Sequence, residues 1–200
     1  PSTNNVYVLL LDSRGHVQTS HVVARPAGQP TDAADAVAGI GDVDSNGTPD
    51  FAVGSVLDDT EGPDAGRIFL FLMTQQGTTV SSAAITIDPP SGFSGARWGS
   101  DIVAMGDIDS DAVPDLLVTG PAASSEDGFA VVLLLDTSGG FHTRETLVVP
   151  EFSGFGLGLG ASATGGRDLN GDGNVEILLL VKGISRSPFG MDQTCTANLY

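Results

Sequence analysis

The sequence is short of the residues that many functions require. Lys182 is the only lysine, and eight bases stand against 25 acids, for a formal charge of −17. Without clustered Lys and Arg, nucleic acid and anionic membrane faces are poor partners. Cys195 is the single cysteine, so no disulfide forms within the chain. No histidine motif accompanies it as a catalytic thiol would require. His16, His21 and His142 share no spacing and read as surface residues. The longest apolar runs, Ala130 to Leu135 and Ile177 to Val181, are strand-sized and too short to span a bilayer. No stretch keeps helical apolar spacing over three turns. No secretory leader is visible from Pro1 onward, and a mature or excerpted chain would look the same.

What the sequence has is glycine and carboxylate. Its 200 residues are 40% hydrophobic but only 16% charged, with 27 glycines. That balance suits many short strands joined by tight turns around a sizeable core. The acids are not scattered: ten of the 25 fall in three nine-residue windows.

Those windows mark a repeat. They read Asp42-Val43-Asp44-Ser45-Asn46-Gly47-Thr48-Pro49-Asp50, Asp107-Ile108-Asp109-Ser110-Asp111-Ala112-Val113-Pro114-Asp115 and Asp168-Leu169-Asn170-Gly171-Asp172-Gly173-Asn174-Val175-Glu176, spaced 65 and then 61 residues apart. A run of small and β-branched residues precedes each window (36–40, 102–105, 161–165), and an apolar strand follows it (51–53, 116–118, 177–181). A third strand comes after a variable loop, at 66–72 and 128–135, and a polar turn leads to a fourth at 80–87 and 143–149. The third strands are apolar on both faces, as strands covered on each side by other sheets would be. Four-stranded sheets repeated in this way are propeller blades. The predicted fold class is therefore all-β, with four-stranded antiparallel blades and about three blade equivalents. The expected divisions are 1–30 (the C-terminal half of a blade), 31–92 and 93–153 (blades) and 154–200 (the N-terminal part of a blade).

Val6 to Asp12 matches a third strand, since Leu133-Leu134-Leu135-Asp136 repeats its end, and 17–23 is the matching fourth. Ala197 to Tyr200 reads as a third strand beginning. Closed propellers usually have four to eight blades, so the expected partners are other blades of a longer propeller or other copies of the chain.

Each window places acid or amide oxygens at positions 1, 3, 5 and 9, where alternate residues of a tight loop can converge, joined by the carbonyl of position 7. An oxygen-only donor set with flexible geometry suits Ca²⁺ better than Mg²⁺. Without an ion, four carboxylates at 107, 109, 111 and 115 would repel one another. An EF-hand would place a bidentate Glu at position 12 between helices; here position 12 is Val53, Val118 or Leu179, within a strand.

The chain resembles the FG-GAP repeats of integrin α-subunit propellers and related surface proteins. Trp98-Gly99-Ser100 stands for the Phe-Gly element, Asp107 to Asp115 for the cation loop and Gly120-Pro121 for the Gly-Ala-Pro element; Leu159-Gly160 and Ala33-Ala34 are weaker versions of the first. The resemblance implies up to three Ca²⁺ ions, each held between the first and second strands of a blade on one rim. Its implied ligands are Asp42, Asp44, Asn46, Thr48 (carbonyl) and Asp50; Asp107, Asp109, Asp111, Val113 (carbonyl) and Asp115; and Asp168, Asn170, Asp172, Asn174 (carbonyl) and Glu176. Ala112 in place of the usual Gly, and Glu176 in place of Asp, are expected to weaken their sites. Asn46-Gly47-Thr48 forms a glycosylation sequon, but Asn46 is expected to be committed to the ion.

The expected function is a non-catalytic, extracellular or cell-surface module for adhesion or fibre assembly. A carbohydrate- or protein-binding receptor is the alternative, with its ligand on the opposite rim at 57–65 and 122–127. No nucleophile–base pair or acid pair outside the loops supports a hydrolase or lyase, and Gly156 to Gly160 lacks the Lys and the strand–helix setting of a phosphate loop.

Overall fold

The computed structural model describes residues 5–23, 34–74, 85–90, 95–121, 128–147, 158–182, 185–187, 190–192 and 195–199. These residues form strands and connections, with no helix among them. Two complete four-stranded antiparallel sheets lie at the centre of the sequence. The first runs in the order β3 (Ala36–Gly41), β4 (Asp50–Ser55), β5 (Arg67–Phe71), β6 (Ile85–Ile87). The second is β7 (Asp101–Gly106), β8 (Asp115–Gly120), β9 (Phe129–Leu135), β10 (Phe141–Leu147). Each is a simple meander, as the repeat predicts.

Half-sheets flank them in sequence. β1 (Tyr7–Leu11) pairs with β2 (Val17–Val22). The turn between them repeats the β9–β10 turn bond for bond. Asp12 N–H donates to the His16 carbonyl (2.9 Å) and Gly15 N–H to the Asp12 carbonyl (3.0 Å); Asp136 and Gly140 (3.0 Å), then Gly139 and Asp136 (2.9 Å), do the same. The hairpin thus has the turn geometry of the third and fourth strands of the second sheet. β11 (Gly158–Arg167), β12 (Glu176–Lys182) and β15 (Cys195–Leu199) form a three-stranded sheet. β15 takes the third-strand place, two residues earlier than Ala197. Between β12 and β15 the chain adds a small hairpin, β13 (Ser185–Ser187) with β14 (Gly190–Asp192), which the repeat does not predict.

The period of two along the central strands fills two different interiors. On β9, Phe129, Val131, Leu133 and Leu135 pack towards the first four-stranded sheet, meeting Ala52, Ile68 and Leu70. Ala130 and half-buried Val132 face the other way, towards Leu179 and Ile177 of β12. On β5, Ile68 and Leu70 face the second sheet while Phe69 and Phe71 face Val6 and Val8 of the hairpin. Stacking sheets face to face is why the third strands are apolar throughout. The first strands lie side by side, β3 against β7 and β7 against β11.

One segment bridges the two complete sheets. Trp98 is fully buried and stacks on Phe129, with ring centroids 5.7 Å apart. Its backbone lies so close to Gly66 that a Cβ there would stand 2.3 Å from the Trp98 carbonyl, and a Cβ on Gly54 would stand 1.9 Å from that of Gly99. Gly54 is required by this approach alone, and Gly66 by both the approach and its left-handed backbone at φ 81°. Of the predicted elements, Gln75 to Ala84, Ala122 to Asp127, Val148, Val149 and Ala33 lie outside the described residues.

Candidate metal centre

The three carboxylate loops share one backbone. Position 4 (Ser45, Ser110, Gly171) and position 6 (Gly47, Ala112, Gly173) all have positive φ, between 58° and 91°. Ala112 keeps the left-handed conformation at φ 70° without the glycine the position favours, at a cost of about 1 kcal/mol. Immediately before the first two loops, Gly41 and Gly106 sit at a register shift in the ladder and pair with the position 9 acids Asp50 and Asp115. Arg167 and Glu176 pair in the same way in the third.

Side-chain oxygens hold each loop closed by accepting from its own N–H groups, the habit that makes Asp and Asn turn formers. At position 1, Asp42 accepts from Asn46 N–H (3.0 Å) and Gly47 N–H (2.8 Å), and Asp107 accepts from Asp111 N–H (3.0 Å) and Ala112 N–H (2.9 Å). Asp168 accepts from Gly171 (2.6 Å) and Gly173 (2.9 Å). At position 3, Asp44, Asp109 and Asn170 accept from the N–H two residues on, at 3.2, 3.3 and 2.8 Å. At position 5, Asn46, Asp111 and Asp172 accept from Thr48, Val113 and Asn174 N–H, each at 2.8 Å.

Position 9 does something the sequence alone did not disclose. Asp50 is 2% exposed and Asp115 is fully buried. Asp50 accepts from Val43 N–H (2.8 Å) and from Met73 N–H (2.7 Å), just past the end of β5. Asp115 accepts from Ile108 N–H (2.7 Å) and from Leu135 N–H (3.0 Å), at the end of β9. One carboxylate thus ties the loop to the third strand. Glu176 accepts from Leu169 N–H (2.5 Å) and the Asn170 side-chain amide (2.9 Å). Since Leu199 pairs with Leu178, the residue that would match Leu135 falls beyond position 200.

Burial pushes the Asp50 carboxyl above its ordinary value, opposed by the Met73 and Val43 N–H groups and reinforced by the charges of Asp44 and Asp42. Asp115 is raised for the same first reason, with Asp109 and Asp111 adding to it. Asp168 is lowered by the Gly173 and Gly171 N–H groups, and Asp172 by Asn174 N–H and the Asn170 amide.

Carboxylate oxygens converge in all three loops: Asp42, Asp44 and Asp50; Asp107, Asp109 and Asp111; Asp168, Asp172 and Glu176, each set having ligand atoms within 4.8 Å of one another. Asp115 is not in the second grouping. Oxygens sharing one Ca²⁺ stand at most about 5 Å apart, given metal–oxygen distances of 2.3–2.6 Å, so the three carboxylates of each loop fit such an ion in spacing and hardness. Asn46 and Asn170 supply amide oxygens beside them. The position 7 side chains turn elsewhere: Val113 joins the core, Thr48 Oγ1 is buried, and Asn174 Nδ2 donates to Asp172 (2.9 Å).

A model of the FG-GAP-like repeat matches residues 42–118, from the first acid of the first loop into β8. Among known proteins, human Integrin alpha-E is 29% identical over 147 residues, which is 68% of this chain and 12% of that protein. Mouse Integrin alpha-IIb is 26% identical over 150 residues (72% and 14%), and Integrin alpha-5 of Xenopus laevis is 26% identical over 167 residues (76% and 14%). The chain thus spans about an eighth of the length of these relatives. The similarity follows the same loop-and-strand unit that the geometry repeats: the chain carries an FG-GAP-like repeat over residues 42–118, is similar to integrin α chains, and folds into four-stranded antiparallel sheets of the β-propeller blade type.

Proposed function

We propose that the chain is a calcium-stabilised propeller module for extracellular adhesion or scaffold assembly, with no catalytic role. The observation that carries this reading is the convergence of carboxylates at one end of every sheet that bears a loop. These acids arrange their own N–H groups around them, and at Asp50 and Asp115 burial, reinforced by neighbouring carboxylates, opposes the ionised state. A hard divalent cation reverses that opposition, and Ca²⁺ tolerates the loop's flexible, oxygen-only geometry. The ligand sets would be 42, 44, 46, 48 and 50; 107, 109, 111, 113 and 115; and 168, 170, 172, 174 and 176. Exposed loops of this kind suit the calcium levels outside cells, and the similarity to integrin α chains supports an adhesive role.

The partner this reading requires is another blade. Tyr7, Leu9 and Leu11 are each more than half exposed. Their counterparts, Val131, Leu133 and Leu135 on β9, are buried against the preceding sheet. A further sheet, from the same propeller or from another copy, would cover them. The divisions 1–30, 31–92, 93–153 and 154–200 then describe half a blade, two blades and part of another.

Electron microscopy with light scattering tests the role. Calcium should give closed rings or ordered fibres that chelation disperses. Monomers indifferent to calcium and EDTA would overturn the proposed assembly.

A further inference from the structure

The three loops answer the crowding of their acids differently. In the first, Asn46 holds position 5. Its side-chain amide donates to Asp44 Oδ2 (2.9 Å) and also to the Met73 carbonyl (2.9 Å). Met73 is therefore held twice, through its N–H by Asp50 (2.7 Å) and through its carbonyl by Asn46. The loop and the third strand are joined without any ion. The third loop uses the same device one step earlier: the Asn170 amide donates to Asp172 (3.2 Å) and Glu176 (2.9 Å). The second loop has no amide. Positions 1, 3, 5 and 9 are Asp107, Asp109, Asp111 and Asp115, and an ionised carboxylate can only accept. Leu135 is tied to this loop through its N–H, by Asp115 (3.0 Å), and no side chain at positions 1, 3, 5 or 9 can donate to its carbonyl while ionised. The same loop holds Ala112 in a left-handed conformation, and its Val113 side chain is part of the core between the two complete blades.

We propose that Asn46 is a built-in substitute for the cation and that Asp111 is its opposite, so the second loop controls the protein's calcium dependence while the first keeps its shape when calcium is removed. This rests on the calcium reading above. The logic is charge count: a fourth carboxylate strengthens attraction for the ion in the loaded state and repulsion in the empty one. An amide gives up some of that attraction in exchange for a hydrogen bond that survives chelation. Asn46 acts here as a positioning residue for Met73 and Asp44 as well as an oxygen donor.

Hydrogen exchange resolved by peptide, on the full chain, tests this. In EDTA the amides of Val43 and Met73 should remain protected while those of Ile108 and Leu135 exchange faster, and calcium should slow the second pair by at least roughly tenfold more than the first. Exchanging the position 5 residues should exchange the behaviours. Asn46→Asp should make Met73 protection calcium-dependent, and Asp111→Asn should make Leu135 protection persist in EDTA. Calorimetric calcium titration should show tighter binding for the first variant and weaker binding for the second, by roughly tenfold each. If calcium protects both segments equally in the wild type, or if the exchanged variants behave as the parent, the proposal fails while calcium binding stands. If calcium protects neither segment, the calcium reading fails with it.

Discussion

At one end of the two complete blades, where β3 turns into β4 and β7 into β8, backbone N–H groups point at carboxylates. At the other end, where β4 passes to β5 and segment 95–100 crosses between blades, the N–H groups of the crossing segment point at backbone carbonyls. There Gly95, Arg97 and Trp98 N–H donate to the carbonyls of Pro63, Asp64 and Ala65 at 2.9–3.0 Å, and Gly99 and Ser100 donate to Thr119. Arg67 adds its guanidinium to Asp88 (2.6 Å) and Thr60 (3.1 Å). This end also sets carboxylates on N–H groups, Asp35 on Val56 and the buried Asp58 on Thr60, but among the described residues no three of its acids converge on one point. The carboxylate end concentrates charge that only a counter-ion or a proton relieves. Two ends of one sheet thus obey different solution conditions, and each of the following experiments perturbs one end and asks whether the other responds.

The largest effect is expected at the carbonyl-bonded end. Trp98→Ala removes the buried ring that stacks on Phe129 and should destabilise the protein by about 3–5 kcal/mol. Because the Trp98 seam lies at the opposite end of the sheets from the carboxylate loops, the loss should be the same in calcium and in EDTA. A loss that depends on calcium would show that the two ends are not independent.

At the charged end, Asp115→Asn takes the charge from the carboxylate that receives Ile108 and Leu135 N–H, and at neutral pH with calcium it should cost about 1–3 kcal/mol. In metal-free buffer the comparison depends on pH. Burial, then the charges of Asp109 and Asp111, raise the folded-state value of Asp115 above its ordinary 3.8. A raised value means that the group's contribution is fully present below that ordinary value and is lost as the pH rises through the raised one. The deficit of the Asn variant relative to wild type should therefore be largest near pH 4 and shrink towards neutrality, as read from denaturant midpoints. A deficit independent of pH without metal would contradict this assignment of charge and burial.

The loops, the four-strand order and the two-faced third strands were legible in the sequence because each follows from a local rule. Carboxylates at alternate positions make turns, and residues that alternate between two apolar faces make a doubly covered strand. The parts that were not legible depend on distant partners. Nothing around Asp115 announces that Leu135 will donate to it, or that Asn46 will reach Met73, because those contacts exist only after the third strand has returned to the loop. Ala112 keeps the same left-handed backbone as Gly47 and Gly173, which its residue type alone did not announce. The hairpin of β13 and β14 escaped notice because its short polar strands carry no alternation. Cys195 falls on β15, a third strand, rather than ahead of one.

A smaller effect is expected where blades meet along their first strands. Asp101 on β7 accepts from Ser162 Oγ (3.1 Å) and Ala163 N–H (2.8 Å) on β11. Asp101→Ala should cost about 1 kcal/mol and speed hydrogen exchange at Ala163 while leaving Met73 and Leu135 unchanged. An equal rise at Leu135 would mean that the charged loops and this contact unfold together.

The central claim is that a divalent cation holds the charged end together, and thermal melting of the intact chain at neutral pH, in calcium and then in EDTA, tests it directly. With calcium at about a hundred times its dissociation constant, each occupied loop should add about 2.7 kcal/mol, or roughly 5–10 °C for a chain of this size, and magnesium should restore less than calcium does. Superimposable melting curves in calcium and EDTA would contradict the account.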